Sequence, residues 1–166
     1  MDELDDIGHW ECNFKFNPDD WFGFIYRVIE IDTGREYIGK KQFTKLKRKI
    51  VKGRKNRKHV RSSSNWKTYT SSSTHLNESI EQKGKQNYKF IIESLHKTKG
   101  SLHYAEVVAH VYEDVLRQTL PDGVTKKYYN KNVSGIKFIP PNESPDEQSV
   151  RTKNYRVFKP DESNPN

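Results

Sequence analysis

Residues 23–43 read GFIYRVIEIDTGREYIGKKQF. The first nine, GFIYRVIEI, alternate in polarity and are rich in β-branched and aromatic types, which predicts a strand. Asp32-Thr33-Gly34 is a turn signal, since Gly accepts positive φ. Residues 36–43, EYIGKKQF, then return as a second strand. With Thr33-Gly34 as a two-residue turn, residue 30 faces residue 37. Tyr26 and Tyr37 then share one face of the sheet, offset by four residues or about 13 Å. A three-residue turn would put them on opposite faces. Such a pair is either an aromatic face packing a small core or two phenols reaching toward one phosphodiester. A phenol ionises near pH ~10 and is a poor base in water. A nearby cation favours the phenolate, and Lys40 and Lys41 adjoin Tyr37.

Beyond the hairpin the chain turns strongly basic. No Asp or Glu occurs between Glu36 and Glu78, while residues 37–77 hold 13 Lys or Arg. The rest of the chain carries 17 basic against 22 acidic residues, so this one segment supplies the whole net charge of +8. A field of that kind attracts polyanions, of which nucleic acid is the common one. A solvated basic loop or a contact with acidic lipid is the bland alternative. Residues 44–65, with Gly53 and Ser62 to Ser64, are expected as an irregular or mobile insertion. Its Lys and Arg suit contacts to phosphates that read no sequence. Candidate DNA contacts are Lys40, Lys41, Lys45, Lys47, Arg48, Arg54 and Arg57, with Trp66 and Tyr69 as aromatic neighbours able to stack on bases.

Composition limits the alternatives. With 32% apolar and 31% charged residues in 166, the core is lean and part of the chain should lie outside it. Residues 1–21 form an acidic arm, with seven acids and one lysine in the first twenty, and 140–166 form a Pro, Asn, Glu and Ser-rich tail expected to be mostly disordered. No apolar run is long enough to cross a membrane, and the N-terminus lacks signal-peptide character. A single cysteine, Cys12, excludes an internal disulfide framework or Cys-rich zinc site. The six histidines show no zinc-ligand spacing. A cytoplasmic location is expected, the host cytoplasm if the chain is phage-encoded. Oligomeric state is not legible.

Downstream, Ser71 to Thr74 can cap a short helix carrying Leu76 and Ile80 and stopped at Gly84. Residues 87–95, NYKFIIESL, predict a third strand. Ser101 opens a longer helix to about Arg117, with an apolar stripe of Ala105, Val108, Ala109, Tyr112, Val115 and Leu116. Glu106 lies beside that stripe, where a carboxylate can look into a cleft and hold a hard divalent cation. An ordinary surface glutamate is the alternative. Tyr128-Tyr129-Asn130 follows, and Ile136, Phe138 and Ile139 suit a last strand.

Phe24-Ile25-Tyr26, eleven residues before Tyr37-Ile38-Gly39, resembles the signature of the GIY-YIG nucleases, with FIY in place of GIY and Gly23 just ahead. Tyr104-Ala105-Glu106 resembles the family's metal-binding glutamate segment, and Asn130 its late asparagine. Trp66-Lys67-Thr68-Tyr69 with the following serines is similar to phage-encoded members related to homing endonucleases. The resemblance covers about residues 22–139. It implies an α/β fold with a small, mainly antiparallel three-stranded sheet flanked by helices. It further implies hydrolysis of DNA, with Tyr26 as general base, Tyr37 orienting the water or phosphate, Glu106 holding Mg²⁺ or Mn²⁺, and Asn130 fixing local geometry. Members also place an arginine on the first helix after the second motif. Here the basic insertion takes that stretch. Arg48, Arg57 and Arg61 are candidates, as is Lys67, with Arg61 or Lys67 preferred. Two rivals stand beside this reading. One is a non-catalytic nucleic-acid-binding protein. The other is a basic interaction protein whose Tyr26 and Tyr37 are merely buried in a core.

Overall fold

The computed structural model describes residues 6–53 and 55–136. Strand β1 (Gly23–Glu30) lies at the centre of a three-stranded antiparallel sheet, between β2 (Glu36–Gln42) and β5 (Tyr88–His96). A separate two-stranded ribbon, β3 (Thr44–Lys49) and β4 (Lys58–Ser63), leaves the end of β2. Helix α1 (Thr74–Lys83) precedes β5, and α2 (Lys99–Tyr112) follows it. This is the α/β arrangement expected from sequence.

A central strand with both faces covered needs apolar side chains at nearly every position, which GFIYRVIE supplies. Phe24, Tyr26 and Val28 face one core with Trp10, Trp66, Tyr37 and Phe43, closed by Leu76 and Ile80 of α1. Ile25 and Ile38 face the other, against Leu102, Ala105 and Ala109 of α2 and then Val115 and Tyr128. Val108 and Tyr112, expected in the α2 stripe, are exposed.

The helix signals act locally as anticipated. Ser73 caps α1 by accepting from the Leu76 amide, and Gly84 ends it at φ 89°. Thr98, rather than Ser101, is the cap of α2. Ser101 sits three positions later and completes a reciprocal capping box. The helix ends at Tyr112, short of Arg117, and Asp114 takes a positive φ just beyond.

Three local expectations are revised. The β1–β2 connection is wider than two residues: Ile29 pairs with Glu36, and Gly34 at φ 75° turns the loop. Tyr26 therefore pairs with Gly39 and Tyr37 with Val28, so the phenols share a face as expected but sit two residues apart rather than four. Their ring centroids are 6.0 Å apart. Residues 44–65 are largely an ordered ribbon, not an irregular insertion, in unbroken register from Thr44↔Ser63 to Lys49↔Lys58. Part of the acidic arm belongs to the fold. Trp10 is buried, its indole N–H donating to the Trp66 carbonyl at 2.6 Å, and Glu11 bridges Ile91 of β5. A large aromatic completes a core that the lean composition leaves short. Arg54, Phe138, Ile139 and residues 140–166 lie outside the described residues.

Candidate active site

β2 is an edge strand, and its outer rim is where the candidate residues gather. The returning chain covers part of that rim: Glu36 donates to the Lys127 carbonyl and Tyr129 to the Glu36 carbonyl, both at 2.8 Å. Two residues on, the main chain diverges and the Asn130 side chain takes over the ladder. Its Oδ1 accepts from the Ile38 amide at 3.0 Å and its Nδ2 donates to the Ile38 carbonyl at 2.7 Å. The buried His110 adds a donor to the same carbonyl at 2.9 Å. An open edge is thus closed by an amide at one residue pair, which satisfies the exposed backbone groups without adding a strand.

Past this clamp the rim opens on a cavity of about 570 Å³. Side chains reach it from both faces of β2. From the α1 face come Tyr37, whose hydroxyl is 2.8 Å from Ser72 Oγ, together with Tyr69 and His75. From the α2 face come Lys40 and Glu106, joined at 2.9 Å, with His103 Nδ1 at 2.8 Å from the same ammonium. Glu106 has a side chain 19% exposed. The strand's pleat explains the split, since 37 and 40 have opposite parity.

Tyr26 stands behind this wall. It is 1% exposed and does not line the cavity. Its ring packs perpendicular to Tyr69 with centroids 6.2 Å apart. The phenol lies over Gly39, where an added Cβ would stand 2.7 Å from the Tyr26 hydroxyl and 2.8 Å from Tyr37 Cε1. The glycine of Tyr37-Ile38-Gly39 is therefore a matter of space. A register shift in β1–β5 pairing falls between Ile25 and Tyr26, where Glu93 of β5 is the extra residue of a bulge. Burial pushes the Tyr26 phenol well above its ordinary range, and the neighbouring Tyr37 and Tyr69 push the same way. Burial also raises Tyr37, against which its hydrogen bond with Ser72 pulls down. The Glu106 carboxylate raises Tyr26, Tyr37 and Tyr69 alike, so it lies within electrostatic reach of all three phenols.

The family model described as "Putative endonuclease segE, GIY-YIG domain" matches residues 10–133. The chain belongs to the GIY-YIG endonuclease family. No curated protein and no solved structure matches it. Burial of Tyr26 and Tyr37 on its own would suit the accidental-motif rival. Membership of the family, together with the shared cavity of Tyr37 and Glu106, removes that rival. The family's first glycine is Phe24 here, and its ring fills the core between Trp10, at 5.1 Å, and Phe43, at 5.0 Å.

Other expected site residues are placed elsewhere. Trp66 is 3% exposed and packs on Phe43, so it cannot stack on a base. Arg61 projects from the exposed ribbon, and Lys67 pairs with Asp6 at 2.8 Å. Neither lines the cavity, because the chain re-enters the fold at Trp66 rather than at the basic residues. Lys41 lies over the Tyr69 ring at 3.6 Å and donates to Asn65 Oδ1. Lys45, Lys47, Arg48 and Arg57 are exposed. Residues not anticipated at the cavity include Ser72, His75, His110, Tyr129 and Lys131. One of them had a signal. His110 follows Glu106 by four residues, one helical turn on the same face, beside the apolar Ala105 and Ala109.

Among the described residues no group of three or more His, Cys, Asp and Glu is placed to hold a metal ion. A metal held here would have Glu106 as its carboxylate without a second one beside it. The oxygen donor suits a hard cation, and the Lys40 ammonium already at 2.9 Å marks the place as one that accepts positive charge. No described helix is long and apolar enough to cross a membrane.

Proposed function

We propose that the chain hydrolyses DNA phosphodiesters at the rim of β2, with Mg²⁺ or Mn²⁺ as cofactor. The observation that supports this reading is the approach of Tyr37 and Glu106 to one cavity from opposite faces of one strand. Glu106 would hold the cation, which when bound supplies charge stabilisation to the phosphoryl oxygens and leaving group. Lys40 offers the compensating charge expected of an arginine, as a point charge rather than a fork.

Tyr26, the base implied by the family resemblance, is sealed behind the cavity wall, whereas the Tyr37 hydroxyl is part of it. We therefore exchange their roles. Tyr37 removes the proton from the attacking water. Tyr26 is a positioning residue whose ring packs against that of Tyr37 at 6.0 Å and whose hydroxyl lies over Gly39. Asn130 and His110 hold Ile38, and so hold Tyr37 on one side of it and Gly39 on the other.

Supercoiled plasmid incubated with Mg²⁺ tests the reading. Wild type should nick or linearise it, and EDTA or Glu106→Ala should abolish cutting. Tyr37→Phe should lower the rate by at least about 10²-fold. Tyr26→Phe should leave partial activity, because it keeps the ring that packs against Tyr37. Equal cutting by wild type and Glu106→Ala would remove the metal role. A complete loss in Tyr26→Phe beside an active Tyr37→Phe would restore the base to Tyr26.

A further inference from the structure

The β3–β4 ribbon has two chemically different faces. Directly paired residues share a face, and faces alternate along each strand. One face carries Lys45, Lys47, Lys49 and Lys58, with Ser62 and Val60. The other carries Leu46, Arg48, His59 and Arg61, with Thr44 and Ser63. Val60 and Ser62 on the lysine face are partly sheltered, while Leu46, Arg48, His59 and Arg61 are all exposed. Leu46 is 64% exposed and sits directly opposite Arg61.

Nothing in the ribbon itself explains its composition. A two-stranded ribbon without a covered face is marginal in water. Lys49 directly opposite Lys58 adds repulsion. The ribbon is fastened at its base, where Ser64 donates its amide to the Phe43 carbonyl at 2.8 Å and its hydroxyl to the Gln42 carbonyl at 2.6 Å. That base continues the same edge strand whose rim carries the cavity. Six residues extend about 20 Å from it, the length of about six base pairs.

From this arrangement we infer that the ribbon enters the major groove of duplex DNA, with the Leu46, Arg48, His59 and Arg61 face toward the base edges. The inference rests on the reading of the chain as a DNA-acting enzyme. The major groove, about 12 Å wide, admits a two-stranded ribbon. Phosphates line the rims of the groove and bases its floor. The inward face must therefore read bases, and the outward lysines splay to the rims. The residue types match this division. Guanidinium forks bond guanine O6 and N7 in pairs, and an exposed leucine suits a thymine methyl. Ammonium groups are point charges that grip phosphate without reading it. The ribbon thus gives specificity to a fold that otherwise offers only a cavity for the phosphodiester.

The test uses the full chain carrying Glu106→Gln, which keeps the DNA intact, and a pool of random-sequence duplexes from which bound molecules are sequenced. We expect enrichment of two guanines about two base pairs apart, because Arg48 and Arg61 lie on diagonal positions of one face. Adding the charge-conserving pair Arg48→Lys and Arg61→Lys should reduce the preference at each guanine by about tenfold. Replacing Lys45, Lys47, Lys49 and Lys58 by Gln should instead weaken binding to all sequences alike. The slope of log affinity against log salt should then shrink by about one for each phosphate no longer neutralised. A bound pool with no preference, or a preference unchanged by the arginine pair, overturns the inference. So does a salt slope unaffected by the four glutamines. Plasmid cutting by wild type is scored separately. Enrichment without cutting would sink the nuclease reading and leave the ribbon's role standing.

Discussion

Glu30 and Glu106 each meet a lysine ammonium, yet one is enclosed and the other opens on a cavity. Glu30 ends β1 and is 1% exposed. Lys83 pairs with it, Thr33 and Tyr129 donate to one oxygen at 2.7 and 2.9 Å, and Tyr88 donates to the other at 3.2 Å, with Ser79 at 3.4 Å. Its lone pairs are occupied, so it has little capacity left for a ligand. Glu106 has Lys40 at 2.9 Å and His103 at 4.0 Å, and its remaining oxygen capacity faces the cavity. Burial alone does not separate a structural carboxylate from a functional one. Saturation of its hydrogen-bond sites does.

The largest expected effect follows from exchanging each carboxylate for its amide. Glu106→Gln should lower plasmid cleavage by about 10³-fold or more. Its folding stability should move by no more than about 1 kcal/mol, because the Lys40 pair is partly exposed. Glu30→Gln should do the opposite. It neutralises a buried carboxylate whose lysine partner is itself partly exposed and disturbs four hydroxyl donors, at a cost of about 3 kcal/mol, most of it from the donors. Enzyme that remains folded should still cut. Urea melts and cleavage rates on the same preparations check both. A destabilised Glu106→Gln, or a stable but inactive Glu30→Gln, would break the comparison.

The sequence carries these two sites unequally. The hairpin and both ends of α1 are legible because alternation, Gly34, Ser73 and Gly84 act through neighbours in the chain, whereas the cap of α2 lies three residues before the serine that marks it. The shared face of Tyr26 and Tyr37 was legible too, because the wider loop preserved parity. What failed depended on distant partners. Trp66 reads from sequence either as a packing anchor or as a stacking platform, and nothing near it shows that Trp10 will donate to its carbonyl and settle the choice. The ribbon was hidden because its positions are nearly all polar, which removes the period-two signal a half-buried strand would give. Sequence order points for the cavity cation to Arg48, Arg57, Arg61 or Lys67, whereas the pleat of β2 delivers Lys40. Glu106 gives only a weak signal beside the α2 stripe and Asn130 none outside the family resemblance, since their convergence depends on α2 and the returning chain meeting one edge.

Asn130 sharpens the comparison because it belongs to both classes. It is satisfied as Glu30 is, yet it lines the cavity as Glu106 does. Asn130→Leu removes both bonds to Ile38, leaving a backbone amide without its partner, and should cost about 2 kcal/mol. Cleavage should fall as well, by about tenfold, through kcat more than KM, because Tyr37 is displaced rather than the DNA contacts. Hydrogen exchange at the Ile38 amide should accelerate in parallel. Slow exchange at that amide in an otherwise weakened variant would show that the clamp does not hold the edge.

The smallest effect is acid sensitivity, and it isolates Glu30. Burial by itself would raise this carboxyl, but hydrogen bonds from Lys83, Thr33 and Tyr129, together with the Lys83 charge, outweigh it and hold it at about 2, below its ordinary 4.5. A carboxyl depressed in the folded state binds fewer protons there than in the unfolded chain. Its stabilisation is therefore complete above the unfolded value near 4.5 and is lost as pH falls toward 2. Urea midpoints of wild type and Glu30→Gln, measured from pH 7 to pH 2.5, should differ most above about pH 5 and converge as the acid limb is descended. Other acid-sensitive groups, such as Asp6 and Asp122, are common to both proteins and cancel in that difference. A difference that stayed constant with pH would mean that the glutamate contributes through packing and neutral hydrogen bonds rather than charge. The contrast with Glu106 would then rest on enclosure alone.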